Sequence, residues 1–200
     1  MLDLIIKNGE CYIDHKLTKT NIGIQNGKIT KIGDLDGEES KETVDATNLM
    51  VLPGCMDTQV HFREPGSTNA EDLHTGSKAA IAGGITSVFE MPNTNPPTAN
   101  MKEFNNKLNL AKNRMYSNYA FYFGATPDNS SDLANLKGLD GCCGVKLFAG
   151  SSTGNLLVDK EEDIEKVFQN TSKIVAVHSE DEEIINLRKK LIEIGNVHTH

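Results

Sequence analysis

No stretch of this 200-residue chain approaches the ~20 consecutive apolar residues that a membrane-spanning helix needs. Met1-Leu2-Asp3-Leu4 does not begin a signal peptide either. A soluble, cytoplasmic protein is therefore expected. Basic residues are also in short supply: 20 Lys and Arg against 28 Asp and Glu give a net charge of −8. With no basic tract and no aromatic–basic interleaving, general nucleic-acid affinity is excluded. Cysteine is scarce. Four stand at 11, 55, 142 and 143, and the adjacent pair Cys142-Cys143 suits neither a CxxC metal knuckle nor a disulfide framework. Reduced, packing thiols are the expectation. No internal repeat or low-complexity tract is evident, and no GxGxxG follows a strand, which excludes the Rossmann phosphate loop.

What is present divides near residue 50. Residues 1–50 read as β-rich, with Leu4-Ile5-Ile6 followed by Asn8-Gly9 and Ile22-Gly23-Ile24-Gln25 followed by Asn26-Gly27. Short β-branched runs separated by Asn-Gly predict hairpins in a small N-terminal β-sandwich segment. The polar stretch 34–42 reads as a loop.

Residues 51–200 change to an alternating rhythm. Strands are predicted at about 55–62, 85–91, 119–123, 144–148 and 173–178. Helices are predicted at about 71–82 (stopped by Gly83-Gly84), 101–115, 130–136, from Asp159 to about 169, and 181–194. Phe104, Leu108, Ala111 and Met115 share one face of the second helix, and Asp159 with Glu162 reads as a capping box. Near-continuously apolar strands alternating with helices argue for a parallel sheet covered by helices. A doubly wound sheet and a (β/α)₈ barrel both fit that alternation. The barrel is favoured because His61, Asn93, Lys146 and His178 fall near the C-terminal ends of four different strands, where barrels build their sites. A closed barrel takes eight strands and about 250 residues. Five βα units are therefore read as the N-terminal portion of a larger enzyme or as a truncated product.

The densest chemistry is Asp57-Thr58-Gln59-Val60-His61-Phe62-Arg63-Glu64-Pro65-Gly66. On an ideal strand Asp57, Gln59, His61 and Arg63 would share a face, aiming an imidazole and a guanidinium into one space. That pairing suits a metal ion held beside an acidic substrate. The plainer reading makes Arg63 a surface residue paired with Glu64 or Glu71, and His61 and His178 ordinary strand-end histidines. His15 and His74 carry no functional expectation, nor does His198-Thr199-His200; Asp57 reads as structural or as a support of the site's ligands, and its strand face leaves a ligand role open.

Pro53-Gly54-x-x-Asp57-x-Gln59-x-His61-Phe62-Arg63-Glu64-Pro65-Gly66 resembles the strand-one signature of the dihydroorotases of the amidohydrolase superfamily. Glutamine stands where the first histidine of His-x-His is expected. Glu71-Asp72 with Thr75-Gly76-Ser77, the run Ala79 to Thr86 and Met91 to Thr98 match in order and spacing. The resemblance implies a metal-dependent TIM barrel that interconverts N-carbamoyl-aspartate and dihydroorotate in pyrimidine synthesis, using one or two zinc ions. It implies His61, Lys146 and His178 as metal ligands, with Lys146 carboxylated in many superfamily members; the alternative is an interior lysine paired with a carboxylate. Arg63 and Asn93 are implied as the substrate-carboxylate pair, since a guanidinium grips a carboxylate bidentately. The proton-shuttling aspartate is expected beyond His200. Gln59, a poor zinc ligand, leaves a second metal site in question. It keeps open an inactive paralogue that pairs with itself or with an aspartate carbamoyltransferase. Dihydropyrimidinase or allantoinase activity is the other alternative.

Overall fold

In the computed structural model, which describes residues 1–150 and 155–193, the chain divides into Met1–Gly54 and a second unit starting at Cys55. The first unit contains β1 (Leu2–Ile13), β2 (Lys16–Gln25), β3 (Lys28–Gly33), β4 (Ser40–Asp45) and the short β5 (Met50–Val51). They form one sheet in the order β3-β2-β1-β4, with β5 also beside β1. Type I′ two-residue hairpin turns match strand twist with positive φ at both central positions. Asn26-Gly27 supplies them at 53° and 71°, as expected. Asp14-His15 makes the other turn at 48° and 63°, although nothing in that dipeptide advertised it.

Asn8-Gly9 does not turn. β1 runs straight through it with a register shift between Ile6 and Gly9, so the dipeptide forms a bulge. The Asn8 N–H donates to Asn21 Oδ1 at 2.9 Å and its Nδ2 to Asp45 Oδ1 at 3.0 Å, which occupies the residue inside the sheet. Gly9 is there for close approach: a Cβ would sit 2.6 Å from the Val51 side chain.

The second unit alternates as predicted. It contains β6 (Cys55–Val60), α1 (Leu73–Ala82), β7 (Ile85–Glu90), α2 (Met101–Ala111), β8 (Asn118–Gly124), a 3₁₀ segment (Ser130–Leu136), β9 (Cys142–Phe148), α3 (Glu161–Asn170), β10 (Val175–His178) and α4 (Glu182–Glu193). The strands lie side by side in chain order, β6-β7-β8-β9-β10, every neighbour parallel. A doubly wound sheet would reverse order at a switch point. This curled sheet does not, and it is half of a TIM barrel.

Alternation then sorts the side chains. Val88, Phe121, Phe123, Val145 and Leu147 pack under Leu73, Phe104, Ala111, Leu133 and Val167 as one apolar core, each large side chain contributing about 1.5–3 kcal/mol. Lys146, between Val145 and Leu147, takes the opposite face. The Asp72 cap of α1 is closed reciprocally by Thr75. The capping box expected at Asp159 and Glu162 does not form: Lys160 is the N-cap, without a side-chain bond. The acids Glu161, Glu162 and Asp163 instead favour that helix end through its dipole. All four cysteines are free. Among the described residues no helix is long and apolar enough to cross a membrane. The predicted end of α4 at Ile194, and His198 and His200, lie outside the described residues.

Gly76 yields a test of this packing. An added Cβ would lie 2.5 Å from the Phe62 ring, which is buried in the core and has nowhere to go. Ala gains about 1 kcal/mol over Gly in a helix, but overpacking costs about 1–3 kcal/mol. Gly76→Ala is expected to lower the urea midpoint; an unchanged or raised midpoint would show that Phe62 yields.

Candidate active site

The ladder of β6 breaks before the chemistry begins. Asp57 Oδ1 accepts the Gln59 N–H at 2.9 Å, and pairing with β7 slips between Asp57 and Val60. The strand ends at Val60, so the alternation predicted from Asp57 through Arg63 does not extend to its last member. Arg63 instead has φ = 58°, a left-handed conformation, and is exposed. Gln59 is exposed, and its side chain makes no hydrogen bond among the described residues.

His61 follows directly on Val60. Its Nδ1–H donates to Asn93 Oδ1 at 2.9 Å. Because that oxygen only accepts, the proton is fixed on Nδ1 and Nε2 presents a lone pair. Burial lowers the pKa of the imidazole, and the cations Arg63, Lys146 and Lys107 lower it further, against the opposing pull of the Asn93 bond. A neutral imidazole with an oriented lone pair is what a cation needs. Two residues expected from sequence are thus brought together, in an unforeseen arrangement: Asn93 orients His61 through its oxygen, while its Nδ2 makes no hydrogen bond among the described residues.

Lys146 is 4% exposed, and burial lowers its pKa. Among the described residues its Nζ has no carboxylate partner; it lies 4.8 Å from the centre of the Phe148 ring. The same ring lies 5.9 Å from that of His178, whose Nε2 is 3.1 Å from Glu180 Oε2. Phe148 therefore bridges two of the predicted residues. Among the described residues no three His, Cys, Asp or Glu side chains gather as a metal-binding group. A cation here would need Lys146 as a third donor. An amine that is buried, without a carboxylate partner among the described residues and biased toward neutrality fits that role, because carboxylation by CO₂ requires the neutral form.

His74 is structural: its Nδ1 meets the Arg114 carbonyl at 3.2 Å, and its ring stacks edge-on with Tyr116 at 5.2 Å.

Two charge pairs were not anticipated, one half-buried and one fully buried. Glu64, 7% exposed, pairs with Arg114 and not with Arg63. Among the described residues Arg63 has no acidic partner, so the surface ion pair with Glu64 or Glu71 is not made. Between the end of β7 and α2, Lys107 Nζ lies 2.7 Å from Glu90 Oε2, the side chains 0% and 1% exposed. Burial pushes the Glu90 pKa up to about 7 despite that ammonium, and pushes Lys107 down. Lys107 also donates to the Met91 carbonyl at 3.2 Å. The signal was present: Lys107 sits three residues after Phe104 and four before Ala111, on the apolar face of its helix.

A model of the amidohydrolase family matches residues 50–199. The chain is 39% identical over 188 residues to a dihydroorotase of Methanosarcina mazei, covering 92% of this chain and 41% of that protein. It is 38% identical over 148 residues to an allantoinase of Desulfitobacterium hafniense, covering 74% of this chain and 33% of that protein. Among solved structures it is similar to the L-hydantoinase (dihydropyrimidinase) of Arthrobacter aurescens, with a TM-score of 0.91 and 28% identity, covering 98% of this chain and 45% of that one. The chain thus spans less than half the length of each of these relatives.

Proposed function

This chain belongs to the amidohydrolase family, and we propose that the whole protein is a dihydroorotase, closing N-carbamoyl-aspartate to dihydroorotate and reopening it in pyrimidine synthesis. The observation that carries this reading is Arg63. It is exposed beside the His61–Asn93 pair, its neighbour Glu64 is committed elsewhere, and it has no acidic partner among the described residues. An unpaired guanidinium at the C-terminal end of the first barrel strand suits a substrate with a free carboxylate. The uncharged rings of hydantoins and allantoin offer it carbonyl oxygens but no carboxylate to grip bidentately. The dihydroorotase relatives, matched over nine-tenths of the chain, support the same choice.

The family is generally metal-dependent, and zinc suits an imidazole-containing site. His61 through Nε2, His178 and Lys146 would hold it, Lys146 as its carbamate. When bound, the metal supplies Lewis-acid polarisation of the ring carbonyl and acidifies water. This chain's own residues do the rest. Arg63 and the Asn93 amide hold the substrate carboxylate, and through it the ring, in one orientation. Asn93 Oδ1 keeps the proton on His61 Nδ1. Gln59, exposed and without a side-chain hydrogen bond among the described residues, supports a single well-held metal.

The purified full-length protein is expected to carry about one zinc per chain and to cyclise carbamoyl-aspartate. A chelator should remove both properties together. Elemental analysis paired with a cyclisation assay decides: a protein with neither metal nor turnover would sink the proposal.

A further inference from the structure

The Arg63-Glu64-Pro65-Gly66 turn is fastened on several sides by groups that do not themselves reach a substrate. Glu64 Oε1 accepts from Arg114 Nη1 at 2.8 Å, and Oε2 accepts from Arg114 Nη2 at 3.2 Å and from the Leu73 N–H at 2.9 Å. Leu73 opens α1, so the carboxylate also meets the positive end of that helix. Arg114 is held in turn, Nη1 donating to the Leu110 carbonyl at 3.0 Å. On the other side the Asn95 N–H donates to the Pro65 carbonyl at 2.9 Å. A Cβ on Gly66 would lie 3.1–3.2 Å from Asn95 atoms, so only glycine lets the two loops meet. Arg63 and Asn93 thus sit on loops tied to each other.

Arg63 itself is left-handed, which L side chains avoid. Such a residue persists where its surroundings over-determine it. The surroundings here are the fork of Arg114 on the very next residue. That fork also removes the nearest carboxylate that could have captured the Arg63 guanidinium.

We propose that Glu64 and Arg114 form a positioning clamp for the substrate-carboxylate receptor, holding Arg63 in its left-handed conformation and keeping its guanidinium unpaired for an anionic substrate. The proposal rests on the dihydroorotase reading for the identity of that anion. Arg114 is a positioning residue that acts only through Arg63.

The test is a double-substitution cycle in the full-length protein. Arg114→Gln should raise KM for carbamoyl-aspartate about tenfold while kcat stays within about twofold; in an Arg63→Ala background the same change should move KM by less than about twofold. Arg114→Lys, which keeps the charge but loses the fork, should fall between parent and Arg114→Gln; it serves as the first arm if the glutamine variant melts early. A merely structural role would lower stability and activity alike in both backgrounds. An unchanged KM in the first background, or an equal shift in both, overturns the clamp. If the parent does not cyclise carbamoyl-aspartate, the dihydroorotase reading falls on its own. The same cycle is then read from calorimetric affinity for orotate, a carboxylate-bearing pyrimidine, with the same ratios expected and the same results overturning the clamp.

Discussion

Arg63→Ala in the full-length protein is expected to raise KM for carbamoyl-aspartate by roughly 100-fold or more while leaving bound zinc unchanged. A hydrogen bond to a charged group contributes about 1.5–3 kcal/mol, and each 1.4 kcal/mol is about tenfold in affinity. A bidentate guanidinium–carboxylate pair therefore spans about two orders of magnitude or more. Compensation from neighbours is ruled out by the geometry. Arg114 is held by Glu64 and the Leu110 carbonyl, Lys107 is sealed against Glu90, and Lys146 is buried on the sheet. Arg63→Lys keeps charge without the fork and should recover only part of the loss. Steady-state kinetics with elemental analysis provides the check. A KM within about threefold of the parent would remove Arg63 from the binding site. Loss of zinc along with activity would instead make it a structural support of the metal.

Why this residue was legible from sequence, while what holds it was not, follows from the range of the interactions. His61, Asn93, Lys146 and His178 could be placed because a strand's C-terminal end is a local property, readable from apolar runs and turn residues. The parallel pairing of β6 to β10 followed from the alternation, since parallel neighbours need crossovers, but their order did not: a doubly wound sheet fits the same alternation, and only the chemistry at the strand ends pointed to the barrel. The conformation of Arg63 is not local. It depends on a carboxylate one residue away meeting a guanidinium 50 positions later, and no periodicity encodes that pairing. Asn8-Gly9 failed for the same reason. Its turn propensity is real, but Asn21 and Asp45 from other strands outbid it. At Asp159 the capping pattern was present and the helix began one residue later, which is within the drift that helix ends show.

Lys107→Met is expected to be the most destabilising of the substitutions considered, costing about 3–5 kcal/mol near pH 8, because breaking a buried pair strands its partner's charge. The pH dependence distinguishes this from ordinary packing loss. Glu90 has a folded-state pKa raised to about 7 from 4.5, and losing the ammonium raises it further. Between the unfolded and folded values the folded chain keeps a proton that the unfolded chain has released. Stability therefore falls as pH rises, by about 1.4 kcal/mol per unit, and the fall continues to higher pH in the variant than in the parent. Denaturation midpoints at about pH 5 and about pH 8, each taken relative to the parent, should show a small deficit at the lower pH and a large one at the higher. Glu90→Gln combined with Lys107→Met removes both charges and should recover most of the loss, since buried pairs are often replaceable by neutral groups of similar volume. Equal deficits at both pH values, or a double variant no better than the single one, would show that the lysine stem packs the core and its charge does not matter. If the charge does matter, activity should follow. Lys107 also holds the Met91 carbonyl, two residues before Asn93, so the double variant should regain stability before it regains affinity for the substrate carboxylate.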